Sequence, residues 1–361
     1  MSLAQVHVVK DKLDHAELVT LDDSALADGA VRLAIESFSV TANNITYAVV
    51  GDGFGYWNFF PAPSGKGIVP MWGHVKVIES NCADIAVGER VHGYIPMASH
   101  LDVVPGKVSA ASFVDMAEPR QPMSPIYNQY ARLAADPEHD PARENERMIF
   151  GPLFKTGFII DYFMRSEQCF GAGQVIMTSA SSKTAMGLAS VAKQNSPDVK
   201  RIGLTSSGNV EFVKATGLYD EVLGYDYLGS LPKDNTVSVD FAGNAKLLAS
   251  IHGHFGDALK YSCLVGATHI EERGAGMGGA ADLPGAKPIL LFAPDHFVAF
   301  FKEHGPAEGG AMIAKTWHGF LADVGASVTI EEHDGLEAAR STYLTMIGGS
   351  VDPAKGIVIK P

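Results

Sequence analysis

The chain has 361 residues, 46% hydrophobic and 19% charged, and a formal net charge of −13. This is the profile of a packed globular protein with room for two domains of about 150 residues each, and it excludes a disordered chain. An acidic surface repels nucleic-acid backbone and anionic lipid, so neither is an expected partner. The three cysteines, Cys82, Cys169 and Cys263, are scattered and odd in number, which gives no disulfide framework. The N-terminal run MSLAQVHVVKDKLDH lacks a signal-peptide core. No apolar run reaches the roughly 18 residues that span a bilayer, so a cytoplasmic location is expected.

In chain order, VRLAIESFSV (31–40) and HVKVIE (74–79) alternate apolar and polar residues and read as strands. GERVHGYIPM (88–97) is a turn followed by another β-rich run. With Gly and Pro dense between them, the first ~115 residues form a small, mostly β domain. Residues 118–147 concentrate proline and charge (PRQPMSPIYNQY, DPEHDPARENER) and read as a solvated surface insertion or linker. Residues 148–166 read as a buried helix. From Val175 the pattern alternates: VIMTSA, KTAMGLASVAKQN, RIGLTSS, NVEFVKATGL, EVLGY, TVSVDFAG, KLLASIHGHF, YSCLVGATH and KPILLFAP. Alternating strands and helices predict a doubly wound parallel sheet. KGIVIKP closes the chain as one more strand.

The run from strand into SASSKTAMG carries the chemistry. In a dinucleotide-binding unit the first strand leads into a tight turn and a helix N-terminus. Free N–H groups and the helix dipole there hold a pyrophosphate. Ser181, Ser182, Lys183 and Thr184 are the candidates on the phosphate side. The positions where glycine is expected hold Ser179, Ser182 and Ala185, so on the turn alone a serine-capped strand–helix junction is an equal alternative. The next strand ends in Thr205, Ser206 and Ser207, followed by Asn209. No acid stands there to accept from a ribose 2′-OH, and hydroxyl and amide donors suit a 2′-phosphate. Lys183 and Lys214 can supply charge, and Tyr225 can lie against the adenosine end. The plain alternative is a polar loop after a strand. A P-loop reading of Ser182–Lys183–Thr184 ranks lower, because Met177 and Ser182 replace both required glycines.

Together these segments resemble the medium-chain dehydrogenase/reductase superfamily, above all its zinc-free quinone oxidoreductase branch and a divergent, DUF2855-like bacterial group. VIMTSASSKTAMGLASVAK (175–193) is similar to VLVHGASGGVGLAAVQLAK without a gap. EFVKATGLYDEVLGYD, SVDFAG, VGERVHGY, VTANNITYAVVGD and KGIVIKP resemble further family segments in family order. The resemblance covers most of the chain outside 118–147. It implies an α/β protein with a Rossmann doubly wound parallel sheet (151–299) and a GroES-like, mostly β domain (1–150 and 300–361). It also implies NADP(H), a small-molecule substrate and hydride transfer to a quinone or an α,β-unsaturated carbonyl. Asp240, Gly243, Gly266, Thr268 and Phe292 join the cofactor-side candidates at later strand ends. TANNITYA becomes the substrate side, with Asn44 and Tyr47 as hydrogen-bond donors and Tyr47 also as proton donor. Thr156 is placed facing the nicotinamide. An asparagine cap and a core tyrosine remain open as plain alternatives.

No zinc site is expected, and the family's four-cysteine structural lobe is absent. Gly73–His74 resembles the family's Gly-His-Glu, but Val75 replaces the glutamate, and TANNITYA holds no cysteine. The resemblance further implies a homodimer, with KPILLFAP as an edge strand that pairs across a two-fold axis. The rival from another class is a non-catalytic NADP(H)-binding or interaction protein on the same fold.

Overall fold

The computed structural model describes residues 2–265, 283–324, 327–349 and 352–361. The chain divides into two units, Met1–Ile149 with Ile330–Pro361, and Phe150–Thr329. Among the described residues no helix is long and apolar enough to cross a membrane.

The first unit is mostly β. Strand Val31–Val40 lies centrally in a nine-stranded sheet, between Lys355–Lys360 and Pro70–Ser80. Its alternation buries Val31, Leu33 and Ile35. A register irregularity between Ile35 and Ser37 then shifts the pattern by one, and Phe38 and Val40 take over in the same core. The sheet continues through Arg90–Pro96, Gln129–Arg132 and Ser112–Asp115 to Pro105–Gly106. Ser2–Val9, Lys12–Asp22 and Lys66–Gly67 form a separate three-stranded sheet.

Residues 118–147 correct the reading of a solvated segment. Gln129–Arg132 is a sheet strand, and Tyr127, Asn128 and Tyr130 are buried. The arginines there are paired with acids. Arg120 is buried, reaching Asp115 at 2.6 Å and the Tyr130 hydroxyl at 2.8 Å. Arg132 grips Glu89 through two nitrogens, and Arg147 pairs with Asp136. Composition counts charges but not their partners.

The second unit is built on a parallel sheet. Its order is Glu221–Gly224, Lys200–Thr205, Gln174–Met177, Thr236–Asp240, Leu259–Leu264 and Pro288–Leu290. The chain moves outward from Gln174–Met177 to one side and returns to Thr236–Asp240 on the other. The order therefore reverses beside Gln174–Met177, where open α/β sheets bind ligands at their carboxyl ends. Helix Lys183–Asn195 crosses after the first strand. It meets helix Glu144–Ser166 at Gly157 and Gly187. A Cβ at Gly157 would run into the backbone of Leu188 and come within 2.8 Å of Gly187 C, so only glycine permits this approach.

Helix Ala293–Val324 also belongs to the second unit, which ends later than the boundary read at 299. It docks on Lys183–Asn195 through Ser190, whose hydroxyl donates to Asp323 at 2.8 Å. Gly305 breaks it with φ +75° just before Pro306.

Candidate functional site

The polar residues singled out after the first two parallel strands do come together. Met177 ends the first strand, and Ser182 caps the following helix, its hydroxyl accepting from Ala185 N at 3.2 Å. The first intrahelical bond runs from Met186 N to Ser182 O. Lys183 and Thr184 thus occupy the first turn, where backbone amides precede the helical ladder and attract an anion. Ser181 turns back toward the second strand. Its hydroxyl accepts from Asn209 Nδ2 at 3.1 Å and lies 3.4 Å from that of Thr205. Thr205 is buried, whereas Ser206 and Ser207 are exposed in the loop beyond. Lys214 is not part of the group: it pairs with Glu211 on its own exposed helix.

Ser179, one of the residues in place of the usual glycines, shows how the turn is held. Ser179 has φ +47°, in the left-handed region where an L side chain costs about 1–2 kcal/mol. Its N–H donates to the Tyr225 hydroxyl at 3.2 Å. Tyr225 therefore lies over the turn itself, and Tyr219 also donates to it, at Ala180 O, 2.9 Å away.

Asp240 and Gly243 have a structural part. Oδ1 of the buried Asp240 accepts from Thr178 Oγ1 at 2.6 Å, Ala242 N at 3.1 Å and Gly243 N at 3.2 Å. Thr178 Oγ1 accepts in turn from Phe241 N at 2.9 Å. The carboxylate thus locks the end of one strand to the turn after its neighbour. Thr178 escaped the sequence reading, although a hydroxyl ending an apolar strand is itself a sign of a buried partner. Phe292 is half-buried just before helix Ala293–Val324. Gly266 and Thr268 lie outside the described residues.

In the first unit, TANNITYA folds as helix Ala42–Val49. Asn44 is consumed by local structure. Its Oδ1 accepts from Thr41 N at 2.6 Å, and its Nδ2 donates to Pro70 O at 2.8 Å, so it positions the helix instead of offering a donor to a ligand. Thr156, too, is turned inward. It lies in the middle of helix Glu144–Ser166, its hydroxyl donating to Pro152 O at 3.1 Å.

Tyr47 differs from both. Its hydroxyl accepts from Asn43 Nδ2 at 2.7 Å and Trp72 Nε1 at 3.2 Å. It packs in an aromatic cluster with Tyr56 (ring centroids 4.5 Å), Tyr94 (5.5 Å) and Tyr127 (6.4 Å). Burial holds the Tyr47 phenol above its ordinary pKa, though the donors around it oppose this. The Tyr94 hydroxyl is buried with no hydrogen-bond partner. These tyrosines are dispersed between positions 47 and 127 in the sequence, and no spacing rule unites them.

A family model described as a protein of unknown function, DUF2855, matches residues 38–352. The chain belongs to the DUF2855 family. No curated protein matches this DUF2855 sequence. Solved structures similar to it span the whole chain at low identity. CurA from Vibrio vulnificus, solved in complex with NADPH, is 14% identical with a TM-score of 0.61, covering 99% of this chain and 98% of that one. The quinone oxidoreductase of Pseudomonas syringae pv. Tomato DC3000 is 15% identical with a TM-score of 0.61, covering 100% of both chains. That of Coxiella burnetii is 13% identical with a TM-score of 0.56, again covering 100% of both. The DUF2855 chain therefore has the medium-chain dehydrogenase/reductase fold, a Rossmann sheet with a GroES-like β unit.

Proposed function

We propose that this chain is an NADP(H)-dependent reductase of a quinone or an α,β-unsaturated carbonyl, working by hydride transfer without a catalytic metal. The observation that carries this reading is the switch point of the parallel sheet. There the Ser182-capped helix N-terminus stands beside the exposed Ser206–Ser207 loop. The helix terminus suits a pyrophosphate, and the hydroxyl loop without an acid suits a 2′-phosphate. One feature resists the cofactor: Tyr225 occupies the Ser179 amide and has to turn away for a phosphate to use it. CurA, of like fold, was solved with NADPH, which points in the same direction.

When bound at this terminus, NADPH would supply the hydride that an electron-poor substrate carbon accepts. The other half of the reaction falls to Tyr47. Because its oxygen already accepts two N–H groups, its own proton is left to donate. A phenol is protonated at neutral pH, and while burial opposes its ionisation the two N–H donors favour it, stabilising the phenolate left once Tyr47 has protonated an enolate oxygen. Asn43 and Trp72 hold the hydroxyl in place. Calorimetric titration with NADPH and NADH tests the reading. Binding with NADPH preferred by about tenfold or more is expected. No heat and no thermal shift at saturating NADPH would overturn it.

A second reading, a non-catalytic NADP(H)-binding protein, is favoured by the Tyr225–Ser179 contact and the serines in place of glycines. NADPH binding without turnover of any quinone or enone would select it.

The assembly we propose is a homodimer. Pro288–Leu290 is the last strand of the parallel sheet among the described residues, and Ile289 on it is 48% exposed. Symmetric pairing covers such an edge. Light scattering should give twice the chain mass for the wild type and one chain mass for Ile289→Lys. A monomeric wild type refutes the dimer.

A further inference from the structure

The first unit contains metal-ligating side chains that the reductase reading does not use. His74, on strand Pro70–Ser80, is fully buried, and neither of its ring nitrogens has a hydrogen-bond partner. His139 faces it, with ring centroids 6.3 Å apart, and its Nδ1 is likewise buried without a partner. Glu144, at the start of helix Glu144–Ser166, brings Oε1 within 3.6 Å of His139 Nε2. One ligand atom from each of the three residues lies within 4.8 Å of the other two. A buried polar group without a partner costs about 1–3 kcal/mol, so orphaned imidazole nitrogens call for a bound species.

The donor set is two imidazoles and one carboxylate, which suits zinc and its neighbours among the divalent transition metals. A tetrahedral ion with bonds of about 2.0–2.1 Å holds its ligand atoms about 3.3 Å apart, so the three side chains need only a modest inward rotation. Arg90 grips Glu144 through Nη1 at 2.7 Å and Nη2 at 2.9 Å and is itself bound by Glu36 at 2.6 Å. A carboxylate has about four lone-pair sites, so two remain for an ion, and Arg90 orients the group as an outer-shell partner does. The second nearby cation, Arg147, is paired with Asp136. The carboxylates Glu36, Glu144 and Asp136 thus outnumber the guanidiniums of Arg90 and Arg147.

We propose that His74, His139 and Glu144 bind one divalent transition-metal ion of the zinc type, in a structural site that takes no part in hydride transfer. The set shares no residue with the SASSKT turn or the TANNITYA helix. It ties strand Pro70–Ser80 to the segment entering helix Glu144–Ser166, so the ion stabilises the first unit.

Chelator-treated full-length protein is titrated with Zn²⁺ and with Co²⁺, reading heat, melting temperature and the visible absorption of Co²⁺. One equivalent is expected, with a raised melting temperature and bands of a low-coordinate, nitrogen-bound ion. His139→Ala and Glu144→Gln should each weaken binding by about 100-fold or more and remove the thermal gain. His139 lies outside regular structure and is only partly buried, so that variant should fold even where His74→Asn does not. Substoichiometric binding by the wild type, or unchanged binding by both variants, overturns the site. Loss of NADPH turnover on chelation in protein that stays folded overturns its structural role. The metal titration stands whether or not the protein proves to be a reductase.

Discussion

Replacing Asp240 with alanine removes an acceptor that serves Thr178 Oγ1, Ala242 N and Gly243 N at 2.6, 3.1 and 3.2 Å. The site is 2% exposed, so water does not readily take over. Hydrogen bonds to a charged group contribute about 1.5–3 kcal/mol each, but three into one oxygen are not additive. Ala242 N also keeps Thr178 Oγ1 as a second acceptor, at 3.1 Å. The expected loss for Asp240→Ala is therefore about 3–5 kcal/mol. Asp240→Asn retains an amide oxygen in the same place but gives up the charge and turns the other oxygen into a donor, for about 1–3 kcal/mol. Urea unfolding followed by circular dichroism measures both, with NADPH titration of the folded variants alongside. The lock is refuted if Asp240→Ala unfolds within about 0.5 kcal/mol of the wild type. If that variant kept its stability but lost NADPH, Asp240 would be a ligand contact and not a brace.

Three further outcomes are expected. Ser206→Asp puts a carboxylate where the 2′-phosphate is proposed to lie and should weaken NADPH by about 10–100-fold while sparing NADH; an equal effect on both nucleotides argues against that loop. Tyr47→Phe should lower kcat by about 100-fold with little change in KM, and an unchanged kcat removes Tyr47 as proton donor. The third concerns pH. His252 is fully buried, bonded to Pro284 O and Ser262 Oγ at 2.9 Å each, and burial lowers its pKa below 6.5. The unfolded chain then takes up the proton first, so the contribution is full above about pH 6.5 and is lost as pH falls below it. The drop in melting temperature between pH 7.5 and 5.5 should shrink in His252→Gln, and an unchanged drop refutes this assignment.

The alternation of the second unit was legible because parallel strands and their crossover helices carry different periods. The turn at SASSKTAMG and the hydroxyl loop at Thr205–Ser207 could be placed for the same reason: each follows an apolar strand. Helix Ala293–Val324 is hard to read because Gly305, Pro306, Gly309 and Gly310 interrupt its pattern; the part after the interruption packs on Lys183–Asn195, and the part before it packs through Phe300 on Phe158 and Tyr162 of helix Glu144–Ser166. The strand at 129–132 was hidden by the prolines and charges around it. Side-chain roles were the least legible. Asp240 and Asn44 carry the donors and acceptors that a ligand site needs, but neighbours far off in sequence, Thr178 and Pro70, already use them. His74 and His139 meet across 65 residues, and nothing local marks them as a pair.

The helix crossing at Gly157 and Gly187 has a consequence for libraries of variants. Most buried positions tolerate some exchange because a neighbouring rotamer gives way. Here the facing atoms are main chain, which has no rotamer to change. The two sides are not equivalent, however. A methyl at Gly187 would sit 3.0 Å from Phe154 Cα, whereas one at Gly157 would collide with Leu188 N. Saturation of both codons under selection for folded protein should thus give a lopsided profile, alanine surviving at 187 and nothing but the parent residue at 157.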